Sequence, residues 1–301
     1  MRELTNDRRR PAALRRSWLF LPGADAPALK KAPDSGADAL IQELEDFVPA
    51  PLREDARRLI GEVVPAWRGA GVVAGVRINP FWDGGVADLE AAMPHAPDFI
   101  ALPKVSGPSQ IVDLDRLVTD LERRHGLAVG ETELVPNIES AVGLLQTMAI
   151  ARASPRVTAC LVASEDMAAD LGAERGPDGA ELAYVRSRFL IECVAAGVVA
   201  VDCPFTWSDD AGAEADTKWA RRLGYRAKSA VLPAHVKVIN AVLTPSAEEA
   251  ASAAAMVAAF EAARAEGRDR VEVDGVLVEV PTYASAKRLL ARARALGVAG
   301  A

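Results

Sequence analysis

Cysteine and histidine are scarce in this sequence, with three of each among 301 residues. Cys160, Cys193 and Cys203 lie in apolar surroundings with neither disulfide nor metal spacing, and read as small core residues of a reduced, cytoplasmic protein. His95, His125 and His235 are scattered along the chain, which supports neither a zinc site nor a histidine-based triad. Long hydrophobic runs are missing as well. The stretch Trp18–Leu21 falls far short of the roughly 20 apolar residues that a membrane helix needs, so no membrane partner is expected. Nor is there a basic excess: 35 Lys and Arg stand against 42 Asp and Glu, and a net charge of -7 argues against nucleic acid as a partner. Only the N-terminal arm, with Arg8, Arg9, Arg10, Arg15 and Arg16, breaks the acidic trend, and it reads as a solvated tail leading into the first strand.

What the chain does contain is alternation. Short apolar runs recur at 17–21, 39–44, 72–78, 99–102, 134–137, 157–162, 198–202 and 227–232. Several are apolar throughout, as parallel strands buried on both faces must be. Amphipathic stretches lie between them, among them 53–64, 111–124, 143–152, 181–196 and 213–223. Eight such β–α units predict a closed (β/α)₈ TIM barrel rather than an open doubly wound sheet. No glycine-rich dinucleotide fingerprint follows the first run, which further disfavours the open sheet. The expected organisation is a barrel over 1–243, including the basic arm at 1–15, and a helical C-terminal extension over 244–301. That extension is predicted to hold a helix at 248–266, a short turn-bearing segment at 271–280 and a last helix at 285–296. Packing is its plain role, and a lid over this or a neighbouring site is the sharper one.

Catalytic groups of such barrels stand at the C-terminal ends of the strands. Those positions hold Glu43, Glu45 and Asp46, then Arg77 with Asn79, Lys104, Glu139, Glu165 with Asp166, Asp202 and Lys228. Together they describe an acidic pocket with at least one cationic group. Glu139 and Asp166 end neighbouring strands, so their carboxylates can converge on a hard cation such as Mg²⁺; capping of the following helices is the alternative. Arg77 ends a buried strand and must face either a carboxylate of the protein or an anionic ligand. Glu45 and Asp46 read either as outer partners of a cation and its waters or as surface loop residues. Lys104 reads as pairing with these acids.

Eight segments in order then carry a resemblance: RRSWLFLPG (15–23), GADALIQELEDFVP (36–49), VRINP (76–80), LPKV (102–105), PNIESAVGL (136–144), ASEDMAADLG (163–172), AAGVVAVD (195–202) and VDGVLVEVP (273–281). The sequence resembles the citrate lyase β-subunit and malyl-CoA lyase group of the HpcH/HpaI aldolase superfamily. The resemblance implies a Mg²⁺-dependent carbon–carbon lyase that cleaves or forms a 3-hydroxyacyl thioester of CoA or an acyl carrier, with a 2-oxo acid as the other fragment. It implies that Glu139 and Asp166 hold Mg²⁺, that Arg77 binds the carboxylate of the oxo acid, and that Glu165 lies among the substrate-binding residues. It further implies a homo-oligomer, a trimer or hexamer, in which a C-terminal carboxylate crosses to a neighbouring site as the acid–base group. The family has aspartate there and this chain has Glu279. Further departures are Ala163 and Ser164 for Gly-Ala, Glu43 for an aspartate, and Ala227 and Leu232 for a glycine and a histidine. These leave the reaction class better supported than the substrate. Thioester hydrolysis, a place in a citrate lyase complex, and Mg²⁺–oxo-acid binding with weak turnover stand as the other readings.

Overall fold

The architecture is that of a computed structural model, which describes residues 9–298. Eight strands form it: β1 (Ser17–Pro22), β2 (Ala39–Glu43), β3 (Val73–Arg77), β4 (Phe99–Leu102), β5 (Glu133–Ile138), β6 (Ala159–Val162), β7 (Val199–Asp202) and β8 (Ala227–Ala230). Each pairs in parallel with the next, and β8 returns to β1, so the sheet closes into a barrel. Nearly every residue of these strands is buried, because the barrel interior takes one face and the surrounding helices the other. Alternate positions meet inside, where Trp18 and Phe99 approach to 5.1 Å between ring centroids. Gly75 makes room for them: a Cβ there would stand 2.1 Å from the Phe99 ring.

The helices follow their apolar periodicity. Arg53–Gly69 buries Ala56, Ile60, Val63, Val64 and Trp67, and Pro108–Arg124 buries Ile111, Leu114, Val118 and Leu121. The helix expected at 143–152 is instead two short ones, Ala141–Leu145 and Thr147–Ala151. They break at Gln146, whose side chain donates to the Ser106 carbonyl at 2.7 Å. Pro233–Leu243, the helix after β8, escaped the periodicity reading because its polar positions are few.

The chain divides into two compact units, one ending at Ala241 and the other beginning at Val242. In the second, the helix Ala247–Ala265 opens with a reciprocal Ser246–Glu249 capping box. It packs on the helix Val280–Ala295 through Ala250, Ala253, Ala286, Leu290 and Ala293. Between them β9 (Val271–Val273) and β10 (Val276–Val278) form a hairpin. Its turn residues Asp274 and Gly275 both have positive φ, as a two-residue hairpin of this type requires. Among the described residues no helix is long and apolar enough to cross a membrane.

The basic arm is not a solvated tail. Arg15 is almost fully buried and makes a two-pronged pair with Glu133 at 2.7 and 2.8 Å. Arg9 donates to the carbonyls of Asp98 and Glu131, while Arg10 and Arg16 pair with Asp38. The cause is a set of acids, Asp38, Asp98 and Glu133, placed just before or at the start of β2, β4 and β5, which draws the arm across the N-terminal end of the barrel. Arg8 lies outside the described residues.

Candidate functional site

At the opposite end, β2 and β3 are in register so that Glu43 and Arg77 are direct partners. Arg77 is buried and surrounded by carboxylates: Glu43 at 2.9 Å, Glu45 at 3.2 Å, Asp46 at 3.4 Å and Glu139 at 3.7 Å. Its guanidinium lies over the Phe20 ring, 5.3 Å from the centroid. Burial pulls its pKa down, but these four charges outweigh that and hold it above the ordinary value. Both of the alternatives for Arg77 therefore remain chemically open, since an anion that displaced one carboxylate would meet an oriented fork.

Glu43, one of the acids expected at the strand ends, is the nearest partner of Arg77. It is fully buried and also accepts from the backbone N–H groups of Glu45 and Phe47, at 2.5 and 2.6 Å. Those two bonds fold the loop after β2 back over the strand end, which is how Glu45 and Asp46 reach Arg77. Such a fold-back leaves no signal in hydropathy. Lys104 contacts Glu45 and stands 3.5 Å from Asp46. It holds a left-handed backbone, φ 53°, just beyond β4. Burial lowers the Lys104 pKa, but its carboxylate neighbours outweigh that and hold it above the ordinary value.

Glu139 follows β5 and is buried, and neither carboxylate oxygen has a hydrogen-bond partner among the described residues. Burial is the main cause that pushes its pKa up to about 8; Arg77 opposes this, and the charges of Glu45 and Asp166 add to it. Asp166, half-buried, is the second residue of the helix Glu165–Leu171 after β6. Neither carboxylate is engaged as a helix cap, for no side-chain cap bond is made at that helix, and Ser140 caps the helix after Glu139. Glu43, Glu45, Asp46 and Glu139 gather on Arg77, Lys104 pairs with Glu45 and Asp46, and the Asp166 charge acts on Glu139. Among the described residues these acids thus outnumber the cations beside them, an excess of negative charge that suits a divalent cation. Among the described residues no three His, Cys, Asp or Glu side chains form a chelating group. Two carboxylates, with water and substrate completing the shell, match the habit of Mg²⁺ rather than of Zn²⁺ or Ca²⁺.

Other expected residues fall elsewhere. Glu165 is about half exposed and accepts from Arg175 at 3.2 Å and Thr206 at 2.9 Å. Asp202 and Lys228 had been read into the pocket, but they point outward from β7 and β8. There they form a buried cluster with Arg186 and Asp216, at 2.6 to 2.8 Å, between sheet and helices. Strand ends carry outward as well as inward residues, and proximity to the end alone does not separate them. The cysteines are free and buried, and burial pushes the Cys203 thiol up to about 12. His235 is buried against Phe205. In the second unit, Glu279 precedes the helix Val280–Ala295 with its side chain half exposed, 3.9 Å from Arg270.

A (β/α)₈ barrel whose mouth gathers carboxylates in excess of its cations defines a class of proteins suited to hold a divalent cation. Residues 16–233 match the HpcH/HpaI aldolase/citrate lyase family, and the chain belongs to that family. It is 33% identical over 287 residues to the citrate lyase subunit beta of Leuconostoc mesenteroides subsp. cremoris, covering 94% of each chain. It is also 33% identical over 283 residues to a (3S)-malyl-CoA thioesterase of Cereibacter sphaeroides, covering 93% of this chain and 95% of that one. The solved structure of Mycobacterium tuberculosis CitE in complex with magnesium, acetoacetate and coenzyme A is similar at 26% identity and a TM-score of 0.75, over 92% of this chain and 97% of that one.

Proposed function

We propose that this chain is a Mg²⁺-dependent carbon–carbon lyase acting on a 3-hydroxyacyl thioester of CoA or an acyl carrier, of malyl, citramalyl or citryl type. The observation that carries the reading is the buried Glu139 carboxylate, 3.7 Å from Arg77 and without a hydrogen-bond partner among the described residues. Glu139 and Asp166 hold the Mg²⁺, which when bound polarises the substrate's oxygen atoms as a Lewis acid. Arg77 takes the substrate carboxylate in its fork, displacing Asp46, the more exposed and more distant of its loop partners. Glu43 fixes the guanidinium plane from beneath, and Lys104 restrains Glu45, so the fork is set before the substrate arrives. Cleavage breaks the bond between the carbinol carbon and the carbon next to the thioester. The hydroxyl gives its proton to water and becomes the carbonyl of a 2-oxo acid, while the thioester fragment leaves as an enolate that must gain a proton. We assign that proton to Glu279, supplied by a neighbouring subunit of a homo-oligomer, a trimer or hexamer. The sequence resemblance and the exposure of Glu279 support the assignment.

The relative that is a (3S)-malyl-CoA thioesterase favours one second reading, hydrolysis of the same substrates. Purified protein with Mg²⁺ and a panel of 3-hydroxyacyl-CoA esters separates the two. A lyase releases 2-oxo acid and keeps CoA as a thioester, whereas a hydrolase releases free CoA thiol and no oxo acid. Absence of both products across malyl, citramalyl and citryl esters would remove the lyase reading.

A further inference from the structure

Two successive inward positions, one in β5 and one just beyond it, carry polar atoms without hydrogen-bond partners among the described residues. The first is Glu139, at the end of the run. The second is Asn137, which is completely buried and whose Oδ1 and Nδ2 both lack a hydrogen-bond partner among the described residues. Asn137 is two residues beyond Val135, which belongs to the barrel's interior core, so the alternation of the strand sends its amide inward.

The barrel register gives its height. Arg77 pairs with Ala101, and Ala101 with Val135. In a barrel of this type a level layer climbs about one residue per strand relative to the hydrogen-bonded partners, so alternate strands contribute to each layer. Two strands on from Arg77, the layer therefore contains Asn137. The same count in the other direction, through Glu43 and Pro22, reaches Phe20. Arg77 does lie over the Phe20 ring, which checks the count. The nearest strand partners of Asn137 are apolar: Leu161 is its partner on β6, and Pro103 follows Leu102, the partner of Pro136, on β4. A buried amide with nothing to bond weakens the ligand-free fold, and an apolar residue of similar size would avoid the penalty.

We infer that Asn137 is a substrate-binding residue, whose Nδ2 donates to the carboxylate of the 2-oxo acid from the barrel floor while Arg77 holds the same carboxylate from the side. The inference rests on the oxo-acid reading of the site and adds the group that orients the acid within it. Two donors on one carboxylate, from different strands, fix its plane as well as its position.

Calorimetry on the full chain tests this, using oxaloacetate, pyruvate and glyoxylate at saturating Mg²⁺, with Mg²⁺ alone as a separate titration. In Asn137→Leu the dissociation constant of the acids that the wild type binds should rise about tenfold or more, the usual effect of removing one hydrogen bond to a charged group. Mg²⁺ affinity should stay the same, and the melting temperature of the ligand-free protein should not fall. If the leucine variant does not fold, Asn137→Ala, which adds no bulk, carries the same expectation. Unchanged oxo-acid affinity beside a binding wild type overturns the inference alone. A parallel loss of Mg²⁺ affinity also overturns it, because Asn137 would then support the metal pair. A wild type that binds none of the three acids overturns the reading of the site and this inference with it.

Discussion

The two ends of the barrel are built from the same residue types and spend them differently. At the N-terminal end, each buried charge has a partner of opposite sign. Arg15 and Glu133 form a two-pronged pair, to which Thr158 adds a hydrogen bond. Arg156 places its guanidinium on Glu122, Asp115, Thr119 and the Thr132 carbonyl, while Glu122 also accepts from the N–H groups of Gly130 and Thr132. Burial alone would raise the pKa of Glu122 and Glu133, but the arginines and N–H donors outweigh it and both are lowered. Asp98 is the exception there, raised because burial outweighs its Ala74 N–H bond and the charges of Arg68 and Arg9. At the C-terminal end, four carboxylates surround one buried arginine, and the Glu139 carboxylate has no hydrogen-bond partner among the described residues. The paired end is arranged for the folded chain. The unpaired end is arranged for something the chain alone does not contain, and it gives up stability to stay ready for it.

The sharpest way to break this contrast is to remove charge from the unpaired end. Glu139→Gln or Asp166→Asn should lower Mg²⁺ affinity by on the order of 10²-fold or more, since each removes one of two protein ligands. Glu139→Gln should also make the metal-free protein more resistant to urea, because the amide need not be ionised in its buried place. Calorimetry and denaturation on the same samples check both halves. Unchanged Mg²⁺ affinity in both variants would end the metal assignment.

The paired end should answer in the opposite sense. Arg15→Met leaves Glu133 buried beside Arg9, whose Nε at 3.4 Å is a partial substitute. A loss of about 3 kcal/mol follows, the lower part of the range for breaking a buried pair. Mg²⁺ affinity should not change. A denaturation midpoint equal to that of the wild type would show that the arm contributes nothing.

Arg77→Lys is the smaller perturbation at the site, because the positive charge is kept and only the planar fork is lost. The dissociation constants for 2-oxo acids with Mg²⁺ should rise by about 10- to 100-fold, well beyond the effect of a surface charge. Titration of the variant with pyruvate, glyoxylate and oxaloacetate measures it. Unchanged affinity for an acid that the wild type binds would make Arg77 structural.

How much of this was legible beforehand divides along physical lines. The eight strands could be read because buried parallel strands are largely apolar. That Glu139, Arg77 and Asp166 stand near strand ends followed from their position after apolar runs. What hydropathy could not carry was direction and partnership. Asp202 and Lys228 end strands as Glu139 does, but they point outward to Arg186 and Asp216. The arginines of the arm looked solvated because their partners Asp38, Asp98 and Glu133 lie 22 residues or more away in sequence. Glu45 and Asp46 gained their places from two backbone hydrogen bonds that the loop makes to Glu43, a feature no periodicity records.

The two ends can also be set against each other directly, through pH. Glu122 and Glu133 have folded-state pKa values below the ordinary 4.5, so the stability they confer is fully present above that value. It is lost as the pH falls through their folded values, when the native state must take up protons that the unfolded state has already bound. Glu139 runs the other way. With its pKa raised from 4.5 to about 8, the metal-free native state keeps a proton that the unfolded state releases. Its contribution to stability therefore declines as the pH rises from 4.5 to about 8, and declines no further above that. Urea midpoints of metal-free protein, taken across the acid and neutral range, should thus fall on both sides of a weakly acidic maximum. Glu133→Gln should flatten only the acid side, at the cost of overall stability, and Glu139→Gln only the side toward neutral pH. Added Mg²⁺ should act like the second variant, since cation binding favours the ionised carboxylate and stabilises the native state most where that form prevails. A profile in which Glu139→Gln leaves the neutral side as steep as before would mean that Glu139 is not the unpaired charge of the barrel's mouth.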